Sequence, residues 1–548
     1  MSASPTKPRL TVGVLLESVD VPAWQFALLE SIQKSDTANI DLLVVAEGTA
    51  QYAKSRLYRM FQEFEDKNRA RGPDACATTS ADKLLLNADR IAFDPTPVQG
   101  IDPAIIASIS AKKLDVILVF VELESLRSIG SLARFGVWYF EAGGRPFSPA
   151  SGAMSGFREL LHHRSHFTST LQILLPDASE VCTAYQSFSA IDYVSHWITR
   201  NEHLWKCSTF AARALERCHA LGGDAFLQSL RETSVRTGDQ LQATSRTSVT
   251  LALWCAFLSY FLWRVRRKVY LRLFRERWVL MFGLDERIPG IGKFRTLVPP
   301  LGRFWADPHV VEVDGQHNVF FEDASQQTGI GHISVMADMG NGEFTSPRAI
   351  LRRPYHLSYP FVFKWGETYF LIPESAENRT VELYRCIRFP DQWIFEHNLM
   401  EGISAYDATL VEHDGLWWLF ANVREREGAS SWDELCIYCA ASPLSRNWRP
   451  HCQNPVVSDV RRARPAGGLF VEDGRLIRPS QDSSLRYGRA LHFNEVIELN
   501  EHDYREVTVG TINPDWNNSV LAVHSYSLAG RLAFIDVIRR ESKYRLIS

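Results

Sequence analysis

The sequence predicts a multidomain chain: an α/β domain over residues 1–200, a helical linker over 201–295, and an all-β five-bladed β-propeller over 296–548. Three observations predict it. Short apolar runs alternate with a helical period near the N-terminus, the composition breaks sharply near residue 247, and from about residue 300 a strand, a tight turn and a second strand recur. At 548 residues the chain is too long for one hydrophobic core. With 45% hydrophobic and 22% charged residues it is a folding sequence, which excludes a disordered or fibrous protein. Lys+Arg 60 against Asp+Glu 63 leaves a formal charge of -3, so attraction to a polyanion or a membrane requires a local cluster.

Nine cysteines are scattered without a dense spacing pattern, and the N-terminus shows no charged segment followed by an apolar one. This pattern predicts a reduced, cytoplasmic protein. The single CxxC, Cys436-Ile-Tyr-Cys439, falls in a strand-like run where residues three apart point to opposite faces, so a core role is expected and no metal site.

The run Arg9-Leu-Thr-Val-Gly-Val-Leu-Leu-Glu17 suits a buried parallel strand, Val21-Pro-Ala-Trp24 leads into a helical pattern from Gln25 to Gln33, and Ile40–Ala46 reads as the next strand. Leu114–Phe120 and Gly136–Phe140 continue a doubly wound, Rossmann-like alternation. No GxGxxG follows the first strand, so no dinucleotide site is expected. These segments resemble the formyltransferase N-terminal domain, which implies that fold for the first third of the chain. In that family a strand-end Asn and a His serve catalysis; here Val119 or Phe120 and Glu141-Ala142 stand at the corresponding places. A Glu cannot act as the neutral imidazole does, so the domain is expected to be a retained scaffold.

From Thr247 to Trp263 no charged residue occurs, and the run then meets Arg264-Val-Arg-Arg-Lys268, Arg272, Arg275 and Arg277. Its 17 residues fall short of the roughly 20 that span a bilayer. Aromatic ends and a basic flank fit a membrane interface, and residues 247–278 are therefore expected to contact the inner face of the cytoplasmic membrane peripherally. A core helix between two domains is the alternative.

The repeat decides the second half. Trp305–Phe321 contains a strand, an Asp-Gly turn and a strand, and the same grammar returns in Tyr359–Leu371, Asp407–Phe420, Gly468–Ile477 and Val523–Phe534. Starts near 305, 359, 407, 466 and 523 are spaced by 54, 48, 59 and 57 residues, leaving room for two further strands in each repeat. Five four-stranded blades follow. Propellers gather function where inner strands begin, which singles out Asp307, Tyr359, Asp407 and Arg464, with Glu322 and Glu374 closing the first two hairpins. An Asp before a strand is often only a turn cap. Two in equivalent positions, with Glu374, point to a carboxylate-lined sugar pocket.

The Trp-Ala-Asp-Pro start and the Asp407 strand resemble five-bladed glycoside hydrolases of the arabinanase and β-xylosidase type. The resemblance implies Asp307 as base and Asp407 as the residue that tunes a pKa, while Arg464-Pro-Ala-Gly-Gly468 stands where that family has its acid Glu. A wider resemblance is carried by Phe304–Pro308, Gly331–Ser334, Tyr355–Phe361, Ile372–Ser375, Glu382–Arg385 and Asp407–Leu410. These are similar to the N-terminal domain of glucosamine inositolphosphorylceramide transferases, which implies glycoconjugate synthesis.

Arg461, Arg462, Arg464, Arg478 and Arg385 suit a phosphate-bearing donor, since guanidinium groups bind phosphate bidentately. The leading expectation is glycosyl transfer from an activated sugar donor to a glycan or lipid acceptor, with Asp307, Asp407 and Glu374 catalytic and Glu322, Tyr359, Arg385 and Arg464 binding substrate. A glycoside hydrolase and a non-catalytic carbohydrate-binding protein are the alternatives. No cofactor or metal is required by any cluster, and no signature points to nucleic acid.

Overall fold

The computed structural model describes residues 7–46, 60, 63–65, 67, 72–93, 102–121, 126–147, 155–162, 164–177, 180–233, 249–284, 293–340 and 342–544. The chain divides into two compact units, the second beginning at Leu262.

In the first unit a seven-stranded sheet runs in the order Asp89–Phe93, Ala38–Ala46, Leu10–Leu16, Val116–Val119, Val137–Ala142, Phe167–Leu174, Val181–Ser189. The first five strands are parallel, as the buried apolar runs predict, and the last two add an antiparallel edge. Helices Ala23–Lys34 and His196–Leu221 pack on one face through Trp24, Leu28, Leu204, Phe210 and Leu215; Ile109 of Pro103–Ala111 packs on the other. The expected boundary at residue 200 therefore moves. His196–Leu221 and Gly223–Thr233 bury their apolar faces in this unit's core and are not linker. Phe120, at the strand end, is buried against Trp24 and Phe140 and offers no polar group.

The linker region proper holds one helix, Val249–Leu273, which takes in both the apolar run and the basic residues after it. Among the described residues no helix is long and apolar enough to cross a membrane.

The second unit has five sheets of four strand positions each. Blade one begins with Arg303–Val313, blade two with Ser358–Trp365, blade three with Ala405–His413, blade four with Phe470–Glu472 and blade five with Val520–Ala529. Asp314-Gly315, Asp414-Gly415 and Asp473-Gly474 all have both residues at positive φ, the geometry a two-residue hairpin needs. Blade five is completed from the other end of the unit: Val520–Ala529 and Leu532–Ser542 pair with Phe274–Leu284 and Arg295–Leu297. The sheets thus take in residues from Phe274, upstream of the boundary expected at 296. Its local antiparallel partner, Arg295–Leu297, is only three residues long and its main partner lies at the far end of the chain, so the repeat grammar does not reveal it.

Five apolar clusters fill the five gaps between successive blades. Phe320, Leu357 and Leu371 join blades one and two, Phe370 and Ala408 two and three, Phe420 and Leu499 three and four, and Ile477 and Ile535 four and five. Phe282 and Phe534 close the ring onto Trp305 and Phe321 of blade one. Cys436 and Cys439 enter different clusters, on opposite faces of their strand.

Gly467 sits at φ +139, and a Cβ there would stand 2.0 Å from the Tyr526 carbonyl oxygen of the next blade. Gly467→Ala is expected to lower propeller stability by about 2–4 kcal/mol, read as the denaturant midpoint of the propeller transition.

Candidate active site

Where the inner strands enter the channel, four of them lose register with their partners. The breaks fall between Ala306 and His309, Ser358 and Phe361, Tyr406 and Thr409, and Val523 and Tyr526. A bulge of this kind bends the strand and re-aims one side chain. Here it places Asp307, Tyr359, Asp407 and His524 at the same end of four blades. Asp307, Tyr359 and Asp407 adopt φ of 50°, 41° and 54°. Asp tolerates that region, whereas a Tyr there is strained and must be held. The Tyr359 hydroxyl is held by Thr409 Oγ1 at 2.9 Å and by the Gly467 N–H, which donates to it at 2.8 Å.

Arg464, from blade four, organises the acidic groups. Its Nε donates to Asp407 Oδ2 at 2.6 Å and its Nη2 to Asp407 Oδ1 at 3.2 Å; Nη2 also reaches Glu374 Oε2 at 3.3 Å. The guanidinium lies between the rings of Tyr406 and Tyr487, 5.3 and 5.1 Å from their centroids. Gln481 Nε2 adds a third donor to Asp407, at 3.0 Å.

A second group bridges blades five and one. His524 Nδ1 lies 2.9 Å from Asp536 Oδ2 and 3.2 Å from Asp307 Oδ1, while Nε2 meets the Tyr487 hydroxyl at 2.7 Å. Asp536 also accepts from the Asp307 N–H at 2.9 Å and from Ser525 through its N–H and hydroxyl. Asp307 Oδ2 accepts from the Tyr359 N–H at 3.3 Å.

Five carboxyls, those of Asp307, Glu322, Glu374, Asp407 and Asp536, interact electrostatically in this centre against two cations, Arg464 and His524. Burial opposes ionisation of Asp536, but His524 and the N–H and hydroxyl donors outweigh it and hold this carboxyl below its usual range. Burial likewise opposes charge on His524, yet Asp536 and Asp307 push it up to about 9. Burial raises Asp307 to about 7, with His524 pulling down and Asp536 and Asp407 pushing up. Burial and then the neighbouring carboxylates hold Glu322 and Glu374 well above the usual range, which favours their protonated forms.

One ligand atom each from Asp307, His524 and Asp536 lies within 4.8 Å of the others, a spacing a cation could use. His524 Nδ1 makes its hydrogen bond to Asp536 Oδ2, while Asp307 Oδ1, 3.2 Å from the same nitrogen, is buried with no hydrogen-bond partner.

The structure brings Asp307, Tyr359, Glu374, Asp407 and Arg464 into one hydrogen-bonded and ion-paired centre. Glu322 is coupled to it and lies 3.3 Å from His356 Nε2. Arg385 does not join. It sits on the third strand of blade two, two strands out from the inner strand that reaches the mouth, and pairs with Glu396 of the outer strand at 2.8 Å. Arg464 is there, but with carboxylates where a donor phosphate was expected. His524, Asp536, Gln481 and Tyr487 escaped the sequence reading. Aligning Val523-His524 with Ala306-Asp307 would have found the first, and an Asp inside the apolar run Leu532–Val537 the second.

Comparisons bear on this same unit. Residues 299–524 match the family model described as Glucosamine inositolphosphorylceramide transferase 1, N-terminal. The propeller is similar to that domain. A Glucosamine inositolphosphorylceramide transferase 1 from Oryza sativa subsp. japonica is 37% identical over 209 residues, 38% of this chain and 28% of the relative. One from Arabidopsis thaliana is 34% identical over 209 residues, 38% of this chain and 27% of the relative. The chain thus spans little more than a quarter of the length of the curated relatives it matches. Among solved structures, a family 117 glycoside hydrolase from Zobellia galactanivorans aligns at 10% identity and TM-score 0.32, covering 48% of this chain and 90% of that one. The catalytic domain of a Coprinopsis cinerea GH62 α-L-arabinofuranosidase aligns at 14% identity and TM-score 0.32, covering 44% and 92%.

Arg464→Met would leave Asp407 buried without its counter-charge and is expected to cost about 3–5 kcal/mol. Adding Asp407→Asn should recover part of that loss, measured by denaturant unfolding.

Proposed function

We propose that the mouth of the propeller carries out glycosyl transfer in glycoconjugate synthesis, from an activated sugar donor to a glycan or lipid acceptor at a membrane surface. One observation carries the reading: carboxyls from blades one, two, three and five converge beside a buried guanidinium, where burial and their mutual repulsion favour the protonated form of Glu322 and Glu374 and raise Asp307 to about 7. Glycosyl chemistry needs this division of labour, a base that takes the acceptor's proton and an acid or electrostatic partner at the leaving group. The similarity to glucosamine inositolphosphorylceramide transferases supports the class of reaction.

In this reading Asp307 is the base. With its carboxyl near 7 it is partly ionised at neutral pH, and its Oδ1, 3.2 Å from His524 Nδ1, is left without a hydrogen-bond partner. Glu374, protonated and held by Arg464, supplies the acid or steadies the departing oxygen. Asp407 fixes Arg464 and hence Glu374. Tyr406 and Tyr487, which sandwich Arg464, form an aromatic edge on which a sugar ring can rest. The N-terminal domain acts as a scaffold. Glu141 accepts from Thr170 and Gln172 there, and burial raises its carboxyl.

Hydrolysis is the second reading, favoured by the same protonated Glu374 beside a base, and it differs only in using water as acceptor. Incubation with nucleotide-sugars and with pentoside and hexoside substrates, with and without lipid acceptors, separates the two. Asp307→Asn should lower turnover by about 10²–10⁴-fold with an unchanged thermal midpoint. For the unmodified protein, kcat/KM should rise with pH up to about 7 as Asp307 loses its proton, and fall again at higher pH as Glu374 loses its own. Turnover that survives Asp307→Asn removes this centre from the chemistry.

A further inference from the structure

We infer that the mouth of the propeller faces an anionic lipid bilayer, because the exposed helix Val249–Leu273 leads into the rim of that mouth. The inference rests on the membrane contact proposed above and deepens it by fixing which end of the propeller meets the lipid.

The surface comes first. Trp254, Leu258, Phe261, Leu262, Val265 and Val269 are exposed large apolar side chains of one helix, with Trp254, Leu258 and Phe261 about 60% exposed. The same helix carries Arg264, Arg266, Arg267, Lys268 and Arg272 and no acidic residue. An exposed apolar surface of this kind calls for a covering partner. A second copy of the helix would set five cations against five, with nothing of opposite sign between them. Phospholipid headgroups supply both the negative charge and the apolar depth, and aromatic and basic side chains on one helix suit that interface.

Strand register then fixes the end of the propeller. The helix passes directly into Phe274–Leu284, which is antiparallel to Leu532–Ser542, itself antiparallel to the inner strand Val520–Ala529. Two reversals make the first and last of these parallel. Trp278 aligns with Ile538, and Ile538 with Ala522, so Phe274 starts at the end where the inner strand begins and where the bulge presents His524. Side chains confirm the closeness. The Trp278 ring lies 4.8 Å from that of His524 and 6.4 Å from that of Tyr487. Glu276 pairs with Arg486, beside Tyr487, at 2.8 Å, and with Arg267 of the helix at 3.8 Å. The helix end, the aromatic rim and the acidic floor are therefore contiguous. A bilayer that takes up the helix lies against this rim, and a substrate held in lipid by its tail reaches the floor with its headgroup alone.

The test uses the full chain with the exposed Cys255 and Cys452 changed to Ser and one new cysteine carrying a polarity-sensitive dye. Leu485→Cys places the dye on the rim; Glu367→Cys places it on the hairpin turn at the opposite end of blade two. Flotation should recover the protein with vesicles of phosphatidylcholine containing about 30 mol % phosphatidylglycerol and not with phosphatidylcholine alone. The dye at 485 should shift to the blue on these vesicles and the dye at 367 should stay silent. Arg264→Glu, Arg266→Glu, Arg267→Glu and Lys268→Glu together should weaken vesicle binding by at least about tenfold without moving the propeller's thermal midpoint. Absence of flotation, self-association through the helix in its place, or a response at 367 with silence at 485 each overturns the inference. Turnover and its loss in Asp307→Asn report on the sugar chemistry separately, so failure of one reading is distinguishable from failure of the other.

Discussion

The buried guanidinium of Arg464 is the interaction on which the acidic mouth depends. Carboxyls from several blades cannot share a water-poor volume unless cations or protons neutralise them. Arg464 binds Asp407 through two nitrogens and reaches Glu374, and His524 serves the other side by bridging Asp536 and Asp307. Two cations against five carboxyls leave the remaining groups to stay neutral by keeping protons. The raised carboxyls of Glu322 and Glu374 beside an aspartate near 7 are thus a result of charge arithmetic in a closed space. It also explains why Arg464 is badly placed to receive a phosphate: Nε and Nη2 are engaged by carboxylates, and Nη1 lies 3.4 Å from the Ser431 carbonyl oxygen.

Closure of the ring and assembly of the site are one event. Blade five is built from both ends of the unit, and it supplies His524 and Asp536 while its strand Phe274–Leu284 brings Trp278 beside them. The Asp536 side chain accepts from the backbone N–H of Asp307 in blade one, so the seam between the blades is fastened by a hydrogen bond inside the acidic cluster. Phe282, Phe534 and Trp305 pack the same seam. Positive φ at Asp307, Tyr359 and Asp407 is tolerated because neighbouring blades hold those residues through Asp536, Gly467 and Arg464.

Much of this was legible in the sequence, for identifiable reasons. Asp-Gly turns require positive φ at both positions, so three hairpins could be placed from two letters each, and the repeat placed the inner strands. The side chains at their starts, Asp307, Tyr359 and Asp407, followed. What stayed hidden depends on contacts distant in sequence. Phe274–Leu284 has its long partner more than two hundred residues away and only the three-residue Arg295–Leu297 beside it in sequence. His524 and Asp536 matter only once the ring closes. Arg385 misled because alternation along a strand says which face a residue takes, but not whether that strand lies at the axis or the rim; the third strand of a blade is too far out. The extent of the α/β unit was misread similarly, since the polar residues that begin His196–Leu221 conceal an apolar face packed onto the sheet.

The departure in blade four is the most informative feature of the centre. A propeller that placed its acid there would oppose base and acid across the axis, with blade two left for binding. Here blade four supplies Arg464 and Gln481, both directed at Asp407, and the proton-bearing carboxyl moves to Glu374 on blade two. The base and acid of the proposed reaction then come from adjacent blades, while the opposite side of the mouth is occupied by Tyr487, whose ring covers Arg464 and whose hydroxyl meets His524. That asymmetry leaves the floor to the reacting groups and gives the rim an apolar, aromatic side formed by blades four and five. The exposed helix joins the propeller on that side, so the part of the mouth least suited to water is also the part the chain connects to its most apolar surface.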